Sequence, residues 1–314
     1  MKKKLISIIS AVHNEQQNIV MFYDRIVKAL DSISDLYDFE LIFTNNCSTD
    51  NTYEIIYDLH NQDKRVNILT LSRNFGYQPS ILAGLTFSQG EASIVIDVDC
   101  EDPPELIPAF VKKWEEGHDV VYGIRKKRQE NFVVQRMRLV FYWLLQKMGD
   151  YEVIRNMSEF ALITKDVRDA ILDNKSTFPF LRTEIGYAGF RRFGIDYVRQ
   201  GRKFGKTHYR FWDMTAFAIG GILSSSTVLL RLSAFIGMIL LPVNLILLFI
   251  ELIGLSAKAF ELFVMLDLMY LVFFLAVLSI YNARMFKNIA QRPIFIIDWK
   301  YSTFTKPLPR RTDS

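Results

Sequence analysis

The sequence predicts an α/β domain with a mostly parallel sheet, followed by interfacial helices and a two-helix transmembrane hairpin. Three observations carry this prediction. Up to about residue 210, strand-like apolar runs alternate with segments of helical period. Such alternation favours a parallel sheet with helices on both faces. Between Leu232 and Tyr281 apolar residues follow one another almost without interruption.

In chain order, "LISIISAV" (5–12) is a buried first strand. The helix after it places Ile19, Tyr23, Ile26, Val27 and Leu30 on one face. "FELIFTNN" (39–46) is the second strand and "TYEIIYDLHNQ" the helix behind it. "VNILTLS" (66–72) is the third strand, and 79–88 a helix. "ASIVIDVD" (92–99) is the fourth; Asp102 then caps a helix with Pro103 and Pro104 in its first turn. "DVVYGI" (119–124) is the fifth. Open α/β sheets take ligands at the carboxyl ends of their strands. Val12–Glu15, Asn45–Asp50, Ser72–Gly76 and Asp97–Asp99 all fall there, so four loops converge on one crevice.

Residues 232–253 and 259–281 each exceed twenty apolar-rich positions. At 1.5 Å per residue each spans roughly 30 Å, a bilayer core. A buried core hairpin would need a second large domain to cover it, and the sequence holds none. The connector "GLSAK" permits only a tight turn, so both flanks share one side. Those flanks hold Arg191, Arg192, Arg199, Arg231, Arg284, Lys287 and Arg292, which places them in the cytoplasm by the positive-inside rule. "NFVVQRMRLVFYWLLQKM" (131–148) and "FWDMTAFAIGGIL" (211–223) mix aromatics with charge in the manner of interfacial helices; for the first, a plain core helix serves equally well. Asp267 lies inside the second apolar span, where an acid usually faces a partner, which leaves a homo-oligomer open.

Net charge is +4, which gives no footing for nucleic acid. Cys47 and Cys100 have no CxxC or metal spacing and read as free thiols in a reducing compartment. The N-terminus has too short an apolar run, and no cleavage site, for a signal peptide.

Asp97 and Asp99 stand at i and i+2 on an extended strand and so point to one side. Hard cations such as Mg²⁺ or Mn²⁺ take carboxylate oxygens and share substrate phosphates. An acidic helix-capping turn explains Asp102 but neither of these two.

"AVHNE" (11–15), "NNCSTDNT" (45–52), "LSRNFGYQPSILAGL" (71–85) and "IDVDCEDPPELI" (96–107) follow one another as in family 2 glycosyltransferases of GT-A fold, which the chain resembles. "GRKFGKTHY" (201–209) and the hairpin are similar to the membrane-anchored polyprenyl-phosphate members, the bactoprenol glucosyltransferases and dolichol-phosphate mannose synthases. The resemblance implies inverting transfer of a hexose, from UDP-glucose or a related nucleotide sugar, to polyprenyl phosphate, giving a lipid-linked sugar for surface glycans. It implies a multi-pass protein of the bacterial inner membrane with both termini cytoplasmic. Its divisions are a catalytic domain at 1–210, a juxtamembrane segment at 211–231, the hairpin at 232–284 and a tail at 285–314. The implied catalytic acids are Asp97, Asp99 and Glu159, with Asp99 on the metal. Val12, Asn14, Glu15, Asn45, Arg73 and Asp97 are the implied nucleotide-sugar residues. Arg202, Lys206 and His208 are those for the acceptor phosphate.

The chain departs from the family pattern in three places. Asn45 and Asn46 stand where two acids are usual, and an amide donates as well as accepts. "SEFA" (158–161) replaces Gly-Asp-Phe-Arg, and His208 replaces a lysine. Two rival readings fit the sequence less well. A processive polysaccharide synthase would carry Gln-x-x-Arg-Trp and more spans, but "QRMRL" (135–139) lacks the Trp. A non-catalytic adaptor is favoured by loss of either aspartate, and both are present.

Overall fold

In the computed structural model, residues 3–125, 157–174, 180–201, 227–254 and 258–305 are described. The expected interfacial helices at 131–148 and 211–223, and Arg202, Lys206 and His208, lie outside them.

The chain begins with β1 (Lys4–Val12), α1 (Ile19–Asp31), β2 (Tyr37–Asn45), α2 (Thr52–Gln62), β3 (Val66–Thr70), α3 (Tyr77–Phe87) and β4 (Ala92–Val95). A 3₁₀ turn at Pro104–Leu106 runs into α4 (Ile107–Glu115), followed by β5 (Val120–Arg125), β6 (Met157–Thr164), α5 (Lys165–Asp173), α6 (Leu181–Ala188) and β7 (Arg192–Tyr197). Two long helices, α7 (Val228–Leu252) and α8 (Ala259–Ile289), complete the set. The strands form one seven-stranded sheet in the order β3-β2-β1-β4-β6-β5-β7. All neighbours pair in parallel except β6, which runs antiparallel to both β4 and β5.

The sheet has a core on each face. On one, Phe22 and Ile26 of α1, Ile56 of α2 and Phe110 of α4 pack on Ile6, Ile8, Phe43 and Phe160. Phe110 stacks on Phe160 at a centroid distance of 4.4 Å. Truncating such a ring typically costs about 3–5 kcal/mol. On the other, Ile81 and Leu85 of α3, Val167 and Ile171 of α5, and Leu181 and Ile185 of α6 pack on Ile9, Val95 and Ala161. Gly84 lets α3 lie close on the sheet: a Cβ there would stand 2.4 Å from Ile9 Cγ2.

Asp102 does not cap the following helix, whose first turn takes no side-chain hydrogen bond. It is 0% exposed, and both its oxygens accept from Arg125 Nη2, at 2.9 and 3.2 Å. Tyr197 Oη donates to Asp102 and accepts from Arg125 Nε. A fully buried carboxylate needs a countercharge more than a helix terminus needs a cap. The network joins the turn after β4 to the ends of β5 and β7.

The described residues divide into two compact units, one running to residue 201 and resuming at Pro293, the other comprising 227–254 and 258–292. In the first, the returning chain lies along β3. Ser72 N–H donates to Ile296 O, Asp298 N–H to Thr70 O and Thr303 N–H to Ile68 O, all at 2.8–2.9 Å. Ile294, Phe295, Ile297 and Phe304 pack on the adjoining core. In the second unit, α7 and α8 have 25 and 31 residues. Both are long and apolar enough to cross a bilayer. Phe235, Met238, Leu241, Leu245 and Phe249 stand more than half exposed along α7, as lipid-facing side chains would. Asp267 finds its partner within the hairpin: Asn244 Nδ2 donates to its Oδ1 at 2.6 Å.

Candidate active site

Each of the four loops after β1–β4 contains a residue in the left-handed backbone region: Asn14 (φ 56°), Cys47 (φ 57°), Gly76 (φ 97°) and Cys100 (φ 55°). Outside glycine this conformation costs of order 1–3 kcal/mol and persists where surrounding bonds enforce it. Here the enforcing bonds run between loops. Asn14 Oδ1 accepts from Thr49 N–H at 2.8 Å, and its own N–H donates to Ser48 Oγ at 3.1 Å. Glu15 N–H donates to Thr52 Oγ1 at 2.9 Å.

The predicted nucleotide-side residues are gathered on these loops. Val12 ends β1 in the core. Asn45, 3% exposed, accepts from Ser48 N–H and so shapes its own loop. Asn46, 5% exposed, ties this loop to the next: its Nδ2 donates to Asn74 Oδ1 at 2.9 Å and its Oδ1 accepts from Phe75 N–H at 2.8 Å. His13 closes the network. Its Nδ1 meets Asn46 O at 3.0 Å and so carries the proton, leaving Nε2 to accept from Asn74 Nδ2 at 3.3 Å. The amide pair at 45–46 thus builds the loops, through both donor and acceptor atoms. Arg73 is exposed, its guanidinium 3.9 Å from the centroid of the Phe75 ring.

β4 ends at Val95, yet its alternation continues. Ile96, Val98 and Cys100 are buried in the first core, and Asp97 and Asp99 are turned to the other face. β6 explains what they meet. Its register pairs Ala92 with Thr164 and Val95 with Ala161, so Glu159 lies on the part of β6 just beyond the end of β4, where its charge reaches Asp97. That face is covered by α3 and α6. Tyr77 Oη, on the first turn of α3, donates to Asp97 Oδ1 at 2.5 Å. Burial, then the charges of Asp99 and Asp102, push the Asp97 carboxyl up to about 7, against the bond from Tyr77. Burial and the charges of Asp97 and Glu159 likewise push the Tyr77 hydroxyl well above its usual range. Asp99 Oδ1 accepts from Glu101 N–H at 3.0 Å.

Glu159 is 6% exposed. Its Oε1 lies 2.8 Å from Arg182 Nε, an ion pair in which Nε–H makes no hydrogen bond, and accepts from Gln78 Nε2 at 3.4 Å, while among the described residues its Oε2 has no hydrogen-bond partner. Tyr77, Gln78 and Arg182 were not foreseen as site residues. The first two sit in a quoted motif, directly after "RNFG"; Arg182 is a lone arginine with no sequence signal. Beyond β7, Gln200 N–H donates to Glu101 O at 2.9 Å and Arg199 pairs with Glu101. The described chain therefore arrives at the acidic turn one residue before it stops at Gly201.

Arg125 answers Asp102 and Arg182 answers Glu159, but no cation among the described residues pairs with Asp97 or Asp99. Two neighbouring carboxylates without a paired cation suit a divalent ion that shares its other positions with phosphate and water. Among the described residues no cluster of three or more His, Cys, Asp or Glu forms a protein-only cage.

The Glycosyl transferase family 2 description matches residues 7–172. The uncharacterized glycosyltransferase YkcC of Bacillus subtilis is 32% identical over 97% of this chain and 96% of its own. The prophage bactoprenol glucosyl transferase homolog of Escherichia coli is 34% identical over 77% of this chain and 78% of its own. The bactoprenol glucosyl transferase of Shigella phage SfX is 32% identical over 76% and 78%. Likeness on this scale, on a GT-A sheet whose fourth strand ends in paired aspartates, makes the protein a glycosyltransferase that belongs to glycosyl transferase family 2.

Proposed function

We propose that the protein transfers a hexose, with inversion, from UDP-glucose or a related UDP-hexose to polyprenyl phosphate at the inner face of a bacterial cytoplasmic membrane. The observation that carries this reading is the Asp97–Asp99 pair just after β4, with the Glu159 charge acting on Asp97, in a chain that also holds two helices long enough to span a bilayer. The names of two relatives, bactoprenol glucosyl transferases, support the lipid acceptor and the sugar.

In this reading Val12, Asn14, Glu15, Asn45 and Arg73 line the nucleotide side. Asp99, with Asp97 beside it, would hold Mg²⁺ or Mn²⁺, which supplies charge stabilisation to the departing diphosphate. Glu159, aligned with the acceptor side, presents its unpartnered Oε2 to the reaction centre. The acceptor phosphate is already an anion, so it needs a cationic seat more than a strong base. Arg202, Lys206 and His208 come two, six and eight residues after Gln200, which is bonded to the acidic turn, and would supply that seat. The basic flanks keep the catalytic domain cytoplasmic and close to the lipid headgroups.

Kinetics against lipid concentration test the acceptor seat. One charged contact is worth about 1.5–3 kcal/mol, or roughly ten- to a hundredfold. Arg202→Ala raises the polyprenyl phosphate requirement by that factor and leaves nucleotide-sugar affinity near normal. Arg202→Lys recovers only part, for want of a bidentate contact. Equal behaviour of Arg202→Lys and the wild type would reduce Arg202 to general headgroup attraction.

A further inference from the structure

Glu159 is held from one side only. Its Oε1 takes both contacts, the charge of Arg182 with Nε at 2.8 Å, which makes no hydrogen bond, and Gln78 Nε2 donating at 3.4 Å, while Oε2 is buried without a partner among the described residues. Gln78 itself works in two directions. Its Oε1 accepts from the N–H of Leu181 at 3.0 Å, the first residue of α6 and one of the donors that a helix start leaves unpaired. Arg182 is the next residue of that helix. The acid on β6, the amide on α3 and the arginine on α6 therefore form one closed unit. Arg182 is three-quarters buried, and among the described residues it forms an ion pair with Glu159. A buried carboxylate rotating about its last bond would otherwise present either oxygen; an arginine on Oε1 fixes which oxygen stays open.

We propose that Arg182 is a positioning residue for the transfer: it pins Oε1 of Glu159 and so aims Oε2 at the reacting groups. Gln78 assists by locking the start of α6 in place. The inference rests on the reading of Glu159 as an acid of the reaction centre. The contact is made by a single nitrogen, so a point charge at the same place serves it in part.

The test uses the full-length protein in detergent with labelled UDP-glucose, polyprenyl phosphate and Mg²⁺. Arg182→Gln lowers kcat about ten- to a hundredfold, the range for one charged contact, with the UDP-glucose KM within about twofold. Arg182→Lys recovers most of the loss. In a Glu159→Gln background, Arg182→Gln adds nothing, because the group it aims is already gone. Arg182→Met, which keeps the apolar stem, repeats the comparison should Arg182→Gln not fold. The inference is overturned if both neutral variants keep wild-type kcat, if their loss lies wholly in KM, or if it multiplies with that of Glu159→Gln. A Glu159→Gln protein with wild-type kcat would instead defeat the reading of Glu159 itself, and this inference with it.

Discussion

Asp97 and Asp102 stand five residues apart and show what one buried acid needs. Asp102 has a guanidinium and a phenol, and it serves structure. Asp97 has a phenol alone, and neighbouring carboxyls work against its ionisation. Asp102→Asn leaves Arg125 buried without its charge, which costs about 3–5 kcal/mol, seen as a lowered denaturant midpoint. Asp99→Asn does the opposite: the fold holds, while activity and its response to Mg²⁺ or Mn²⁺ fall by at least about a hundredfold, as expected when transition-state charge is left unanswered. Full turnover of Asp99→Asn, or of wild type in EDTA, contradicts the metal role.

Among the elements, the strands that the sequence reveals most clearly are those buried on both faces. β1 to β5 are apolar runs closed by polar loops, and each appears where its run predicts. β6 was legible only as the motif "SEFA". Its role depends on antiparallel insertion between β4 and β5, a pairing distant in sequence that no local period encodes. β7 was hidden because its residues are mostly half-exposed, and Arg191, Arg192 and Arg199 in and around it read as membrane flank. In the tail, lysines and arginines are the conspicuous residues of the sequence, while Ile294, Phe295 and Ile297 pack on the core and the backbone bonds to β3. Residues 293–305 also cover the edge of the sheet. Removing the chain from Pro293 on therefore lowers the melting temperature of the catalytic unit by more than about 5 °C, the shift expected for a loss of 2 kcal/mol or so. An unchanged melting curve would make the strap incidental.

For the molecule as a whole, the proposed function joins a nucleotide-sugar site on the sheet to a lipid acceptor. The long helices expose apolar side chains almost everywhere, which suits lipid and not water. The chain that leaves β7 touches the acidic turn at Glu101 immediately before the basic motif at 201–209. The central claim is that these parts perform one reaction. The most direct measurement incubates the purified protein with polyprenyl phosphate, Mg²⁺ or Mn²⁺ and a panel of labelled nucleotide sugars, then partitions the products between water and solvent. The account predicts metal-dependent passage of label into the lipid phase from a UDP-hexose, absent with Asp99→Asn. Label that stays in water with every donor, or enters the lipid phase as readily with Asp99→Asn, would contradict it.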